Sequence, residues 1–204
     1  MSFSAQNLTC LRGDQLVFED ISFDVAAGQA LWIRGKNGAG KSSLLRICAG
    51  LLKPVGGHLR WGGVEISDNP DMYQGKYHYQ GHQDALKAVL TVRENLTFWA
   101  KYNGRSNVGK AISDFALADL AETQTGLLSA GQKKRVALAR LLTSPAPLWI
   151  LDEPVSSLDA AFIELFKKHL VAHLDAGGMA LLATHQDLEL PEVATLNLDT
   201  VGAT

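Results

Sequence analysis

The chain has 204 residues, 47% of them hydrophobic and 20% charged, enough to bury a sizeable core in one compact domain. Its formal net charge of -2 removes any electrostatic case for sequence-independent binding of nucleic acid or anionic lipid, and no nucleic-acid partner is expected. Only two cysteines occur, Cys10 and Cys48, no leader-like segment opens the chain, and the longest apolar runs, 148–151 and 179–183, fall far short of the ~20 residues of a bilayer-spanning helix, so a reducing compartment and at most peripheral membrane contact are expected.

In chain order, Leu16, Val17 and Phe18, then Ile21, Phe23 and Val25, carry the period-2 alternation of half-buried strands and predict an antiparallel β layer. Ala30 to Ile33 reads as a short buried strand running into a glycine-rich turn. Leu44, Leu45, Ile47, Cys48 and Leu51 then recur at helical spacing. Pro54, Gly56 and Gly57 precede a further antiparallel strand around Leu59-Arg60-Trp61, closed by Gly62-Gly63. Thr91 and Glu94 form a capping box that opens a helix with Val92, Leu96, Trp99 and Ala100 on one face. Helical structure continues through 108–120, and a second capping box, Ser129 with Gln132, opens a helix over 132–142 that Pro145 and Pro147 stop. Strand 148–151, a helix over about 159–174, the Gly177-Gly178 turn and strand 179–184 complete the pattern. Strands alternating with helices predict an α/β fold with a parallel sheet, into which a helical subdomain is inserted at about 84–143.

Gly35-Lys36-Asn37-Gly38-Ala39-Gly40-Lys41-Ser42 matches the phosphate-loop pattern G-x-x-x-x-G-K-[ST] at every fixed position, between a predicted strand and a predicted helix. The chemistry explains the spacing. Triphosphate oxygens need many donors at short range, so glycines let the backbone turn its N–H groups inward while the following helix presents its positive end. Lys41 would reach the β- and γ-phosphates, Ser42 would bind Mg²⁺, and Ser43 extends the donors into the helix. An apolar strand delivers Asp152 and Glu153 to the carboxyl edge of the sheet, where ligands of open α/β sheets bind. There Asp152 can hold the Mg²⁺ shell and Glu153 can polarise the attacking water as general base. Alone, such an Asp-Glu pair is better read as a solvated strand end; with the phosphate loop the balance reverses and it becomes a site.

Leu128-Ser129-Ala130-Gly131-Gln132 can be read as a simple helix cap or as an anion site built from Ser129 and free N–H groups. These five residues resemble the LSGGQ signature of the ABC ATPases, with Ala130 replacing one glycine. The order phosphate loop, LSAGQ, Asp-Glu strand, Ser157-Leu158-Asp159, Thr184-His185 is similar to that family over essentially the whole chain. The resemblance implies a P-loop NTPase of the ABC type over 1–204, with an N-terminal antiparallel β subdomain, using ATP and Mg²⁺. It also implies a head-to-tail homodimer in which Ser129, with Gly131 and Gln132, caps the γ-phosphate held by Lys41 of the other copy. Asp159 would communicate across that interface, and His185 would be the switch histidine at the γ-phosphate.

Two departures from the family pattern stand out. Leu11-Arg12 precede Gly13 where an aromatic residue usually stacks on adenine, and the Arg12 guanidinium could take its place. The lid glutamine position, counted back from Thr91, falls on His82, with Gln83 adjacent, and either could sense Mg²⁺ and water. His169 and His173 stand i, i+4 on one helix without an evident third ligand and read as a solvated face; Cys48 reads as helix packing.

Within the family, Gly81-His82-Gln83, the run from Leu128 to Leu142, Leu148 to Glu153 and Thr184-His185-Gln186 resemble the ATP-binding subunits of bacterial cytochrome c maturation. That resemblance implies transmembrane partner subunits, a place on the cytoplasmic face of the inner membrane, and haem contacted only indirectly. An ABC motor for another cargo, or a soluble ABC ATPase that remodels a macromolecular complex, remain open; the partners that co-purify distinguish them.

Overall fold

A computed structural model describes residues 1–102, 107–190 and 193–199. The elements are β1 (Ser2–Arg12), β2 (Gln15–Ala26), β3 (Ala30–Arg34), α1 (Lys41–Cys48), β4 (Gly56–Trp61), β5 (Val64–Glu65), α2 (Pro70–Tyr73), β6 (Tyr77–Gln80), α3 (Val92–Tyr102), α4 (Val108–Asp114), α5 (Ala130–Ala139), β7 (Leu148–Asp152), α6 (Ala160–Asp175), β8 (Met179–Ala183) and β9 (Val193–Asn197). Short 3₁₀ turns follow α4 and α5. Two sheets form: an antiparallel one in the order β2-β1-β4-β5, and a five-stranded parallel one in the order β6-β7-β8-β3-β9.

The parallel sheet is covered on both faces, so its inner strands are apolar throughout and successive residues enter different cores. Leu31 and Ile33 of β3, Leu148 and Ile150 of β7, and Met179 and Leu181 of β8 pack toward α1 and the antiparallel sheet. Ala30, Trp149, Leu151, Ala180 and Leu182 face the opposite way, toward α5, α6 and the α3–α4 subdomain. The predicted strand at 179–184 is therefore buried on both sides, as is that at 148–151.

Four strands escape the sequence reading, the two-residue β5 among them. β1 carries Phe3, Ala5, Leu8 and Cys10 inward, but register shifts between Ala5 and Leu8 and again near Cys10 break the alternation. β6, with Tyr77, His78, Tyr79 and Gln80, looks polar in sequence and pairs with β7. β9 is an edge strand on β3, largely exposed. The helix predicted over 132–142 starts earlier, at Ala130, because Ser129 is its N-cap and the helix begins at the next residue; its last turn tightens to 3₁₀.

Candidate nucleotide site

The loop after β3 turns directly into α1, whose N-cap is Gly40 at φ 96, a left-handed conformation that favours glycine. A Cβ on Gly40 would also stand 2.5 Å from Val17 Cγ1 and 2.9 Å from the Phe18 ring, so β2 clasps the loop from outside. Lys41 folds back over the loop, its ammonium donating to the carbonyls of Gly35 (2.7 Å) and Lys36 (3.0 Å). The backbone N–H of Lys36 donates to both carboxylate oxygens of Asp199, at 3.0 and 3.1 Å.

Strand β7 ends in Asp152, which is buried, with Oδ2 enclosed and accepting no hydrogen bond among the described residues. A buried carboxylate oxygen without a partner calls for a cation or water, which fits the hard-oxygen donor set offered with Ser42. Burial holds the nearby Tyr79 hydroxyl above its usual range, an effect that Arg46 opposes by hydrogen bonding and the charge of Asp152 reinforces. Glu153 follows in a left-handed conformation, φ 48, with its N–H donating to Ala183 O at 2.7 Å. Such a backbone position persists only where the surroundings over-determine it, and here the end of β8 does so. His185, just beyond β8, brings Nε2 to 3.0 Å from Asn37 Oδ1 and 3.7 Å from Glu153 Oε1. Trp32 Nε1 donates to Thr184 O at 2.9 Å, tying β3 to the segment that carries His185.

One cavity of about 680 Å³ collects these groups: Asn37, Gly38, Gly40, Lys41, Ser42, Ser43, His82, Asp152, Glu153 and His185 line it, and Arg12, Leu16 and Val17 extend it along β2. Of the two candidate lid residues, His82 lines the cavity and Gln83 does not; Gln83 instead offers its carbonyl to Gln80 Nε2 at 3.4 Å. Arg12 lines the cavity beside Gln15 and Leu16 of β2. Gly35, Lys36 and Ala39 are not among its lining residues; Gly35 lines a neighbouring cavity with Lys41, Thr184 and His185.

The signature segment lies elsewhere. Ser129 Oγ accepts from Gln132 N at 3.2 Å while Gln132 Oε1 accepts from Ser129 N at 2.9 Å, so the reciprocal capping box expected from sequence is formed. Gly131 lies under the next loop: a Cβ there would sit 2.8 Å from Ser157 O. Asp159 caps α6 through Phe162 N and meets Arg135 at 3.1 Å, so within one chain it ties α6 to α5. None of Ser129, Gly131, Gln132 or Asp159 lines the cavity around Lys41.

The pair His169 and His173 is neither a solvated face nor a converging one. His169 stacks on Phe115 with ring centroids 5.1 Å apart, and His173 lies flat on Trp149 at 4.0 Å with Nε2 beside Met179 O, because the helix face they share packs against α4 and the sheet. Cys48 is fully buried, and burial pushes its thiol up, as expected for packing. Sequence reasoning missed Asp199 and the lining residues Gln15 and Ser156; Ser156 Oγ donates to Glu153 O at 3.0 Å.

Residues 18–156 match the family described as ABC transporter. The chain is 48% identical over 97% of its length to the cytochrome c biogenesis ATP-binding export protein CcmA of Rhodospirillum rubrum, covering 85% of that protein, and 49% identical to the CcmA of Paramagnetospirillum magneticum, covering 94% of it. Among solved structures, an ABC transporter ATP-binding protein from Pyrococcus furiosus superposes with a TM-score of 0.85 at 25% identity, over 98% of this chain and 99% of that one. The ATP-binding cassette MJ0796, solved as a dimer with ADP and phosphate, shares the fold at a TM-score of 0.78 and 24% identity, over 90% of this chain and 88% of that one. Among the described residues no helix is long and apolar enough to cross a membrane. The chain belongs to the ABC transporter family, as one of its ATP-binding, ATP-hydrolysing subunits.

Proposed function

We propose that this chain is the motor of a membrane complex in haem export and c-type cytochrome biogenesis, docked peripherally on the cytoplasmic side of transmembrane subunits and working there as a homodimer. Carrying the cargo assignment is the 48–49% identity to two CcmA proteins over 97% of the chain. Haem would be handled by the membrane partners. The whole chain acts as one ATP-binding domain with the helical insert riding on it.

In this reading Lys41 and the loop N–H groups hold the β- and γ-phosphates, leaving Lys41 to exchange two carbonyl partners for phosphate oxygens. Ser42 and the orphaned Asp152 oxygen would hold Mg²⁺ in the cavity that His82 also lines. Bound there, Mg²⁺ would supply positive charge against that developing on the phosphates. Glu153 takes a proton from the attacking water, and His185, 3.7 Å from Glu153, keeps water and γ-phosphate in line. Arg12 lies across the base. Ser129 and Gly131, turned away from their own chain's cavity, close the site of the second copy.

Purification of the tagged chain from solubilised membranes tests this reading, together with complementation of a strain that lacks its own cytochrome c biogenesis ATPase. Restored c-type cytochromes and co-purifying membrane subunits are expected. Partners belonging to another transport system would replace the cargo assignment, and recovery of the chain with ribosomes or DNA would remove the transport role.

A further inference from the structure

Lys134 sits in the basic run Lys133-Lys134-Arg135, yet it is 4% exposed, and its ammonium lies 3.0 Å from Asp84 Oδ1. Lysine is almost never buried without a paired charge. The contact is ionic: Asp84 Oδ1 accepts no directed hydrogen bond. From six residues further along the same helical run, Arg140 donates to the Asp84 carbonyl at 3.1 Å, with its guanidinium laid over Trp99 at 3.9 Å. Burial lowers the Arg140 pKa to about 10, against the pull of the Asp84 charge. Two cations of one helical run thus grip a single residue of the lid. The neighbouring Ala85 is held at φ 51, a conformation an alanine keeps only under external constraint.

What is gripped is the short path between the cavity and the signature. Asp84 lies two residues after His82, and Lys134 five residues after Ser129. The far end of the lid is fixed independently: Asn95, 2% exposed, accepts from Lys87 N and donates to the carbonyls of Lys87, Leu90 and Thr91. A buried ion pair is seldom more stabilising than apolar side chains of the same size, so its use here is positional. We propose that Asp84 and Lys134 form a clamp through which helix α5 sets the place of His82 over the nucleotide site, making both of them positioning residues for ATP hydrolysis.

The clamp rests on the reading of His82 as the lid residue, and the test separates the two. The full chain is assayed in membranes with its partner subunits, and ATP affinity is measured on the purified chain. Asp84→Leu/Lys134→Met replaces the charges by apolar groups: its melting temperature and ATP Kd are expected to stay near wild type while kcat falls about tenfold. Lys134→Arg, which keeps the charge, should hold kcat within about twofold. Asp84→Asn, a milder change that leaves the main-chain bond to Arg140, should lower kcat without moving Kd and serves if the double variant does not fold. Wild-type kcat in a folded Asp84→Asn or double variant overturns the clamp, as does a loss shared equally by Kd. His82→Ala at the wild-type rate would instead overturn the lid reading; a slow His82→Ala beside a fast Asp84→Asn overturns the clamp alone.

Discussion

Asp199 and Lys36 lie 163 residues apart, and the carboxylate of the first receives the backbone N–H of the second through both oxygens. The bond braces the phosphate loop from its outer side. A Cβ on Gly35 would stand 3.4 Å from the same carboxylate and from Leu198, so the end of β9 is the surface against which the loop rests.

Asp199→Ala is expected to weaken ATP binding, since a hydrogen bond to a charged acceptor contributes ~1.5 kcal/mol or more and this one is exposed; a three- to tenfold rise in Kd is the rough scale. Asp199→Asn should recover most of it. Fluorescent-nucleotide titration gives the answer, and equal Kd values for all three proteins would show the brace to be incidental.

Glu153→Gln should bind ATP as well as the wild-type chain and turn over at least about a hundredfold more slowly, because the amide keeps the side-chain shape but cannot accept the proton. Lys41→Ala should lose binding outright, since its ammonium offsets phosphate charge that the backbone donors of the loop only partly compensate. Equilibrium binding beside phosphate release separates the two.

Gly40→Ala combines a conformational penalty at φ 96 with a clash against Val17 Cγ1 at 2.5 Å. Loss of ATP binding and a lower melting temperature are both expected. Val17→Ala in the same chain should relieve the clash and recover part of the melting temperature, while the backbone strain remains.

Ser129→Arg should leave ATP binding to the single chain nearly intact and block turnover, because Ser129 stands outside its own cavity. Mixed with Lys41→Ala, it should regain partial activity through hybrid dimers that hold one site with both wild-type residues. Full activity of Ser129→Arg at high dilution would show a self-sufficient monomer.

His78 and His173 are both held below the usual histidine pKa by burial, against hydrogen bonds to the carbonyls of Ser144 and Met179 that pull the other way. Below about pH 6.5 the unfolded chain takes up protons that the folded chain refuses, so stability should fall as the pH drops from neutrality toward 5, and should be flat in these groups above 7. His173→Phe keeps the ring against Trp149 without a titrating nitrogen. Urea unfolding at pH 7.5 and 5.5 should show a smaller difference for that variant than for the wild type.

The groups proposed to contact nucleotide were legible because short-range backbone chemistry dictates their residue types: the glycines of the loop, the serine of the signature cap, the acids at the end of an apolar strand. That His82 lines the cavity and Gln83 does not is visible only in the fold. Asp199 was illegible because its partner is a main-chain N–H at the other end of the chain, which leaves no residue pattern behind. Lys134 was hidden inside a basic run, where one buried lysine looks like its solvated neighbours. β1 was obscured by the bulge around Asn7, which stands at φ 49 and bonds Asp20, itself at φ 56.

The strand order β6-β7-β8-β3-β9 also fixes distances within the site. Asp152 leaves from β7, His185 from just beyond β8, and the phosphate loop from β3, on three consecutive strands. Neighbouring strands are held about 4.8 Å apart by their hydrogen bonds, so the Asp152 carboxylate and the glycine-rich loop start about 10 Å from one another, with the histidine's strand midway. The sheet is a ruler graduated by peptide geometry. Side-chain replacements in either core can loosen it but leave unchanged the spacing of the strands that carry Asp152, His185 and the loop.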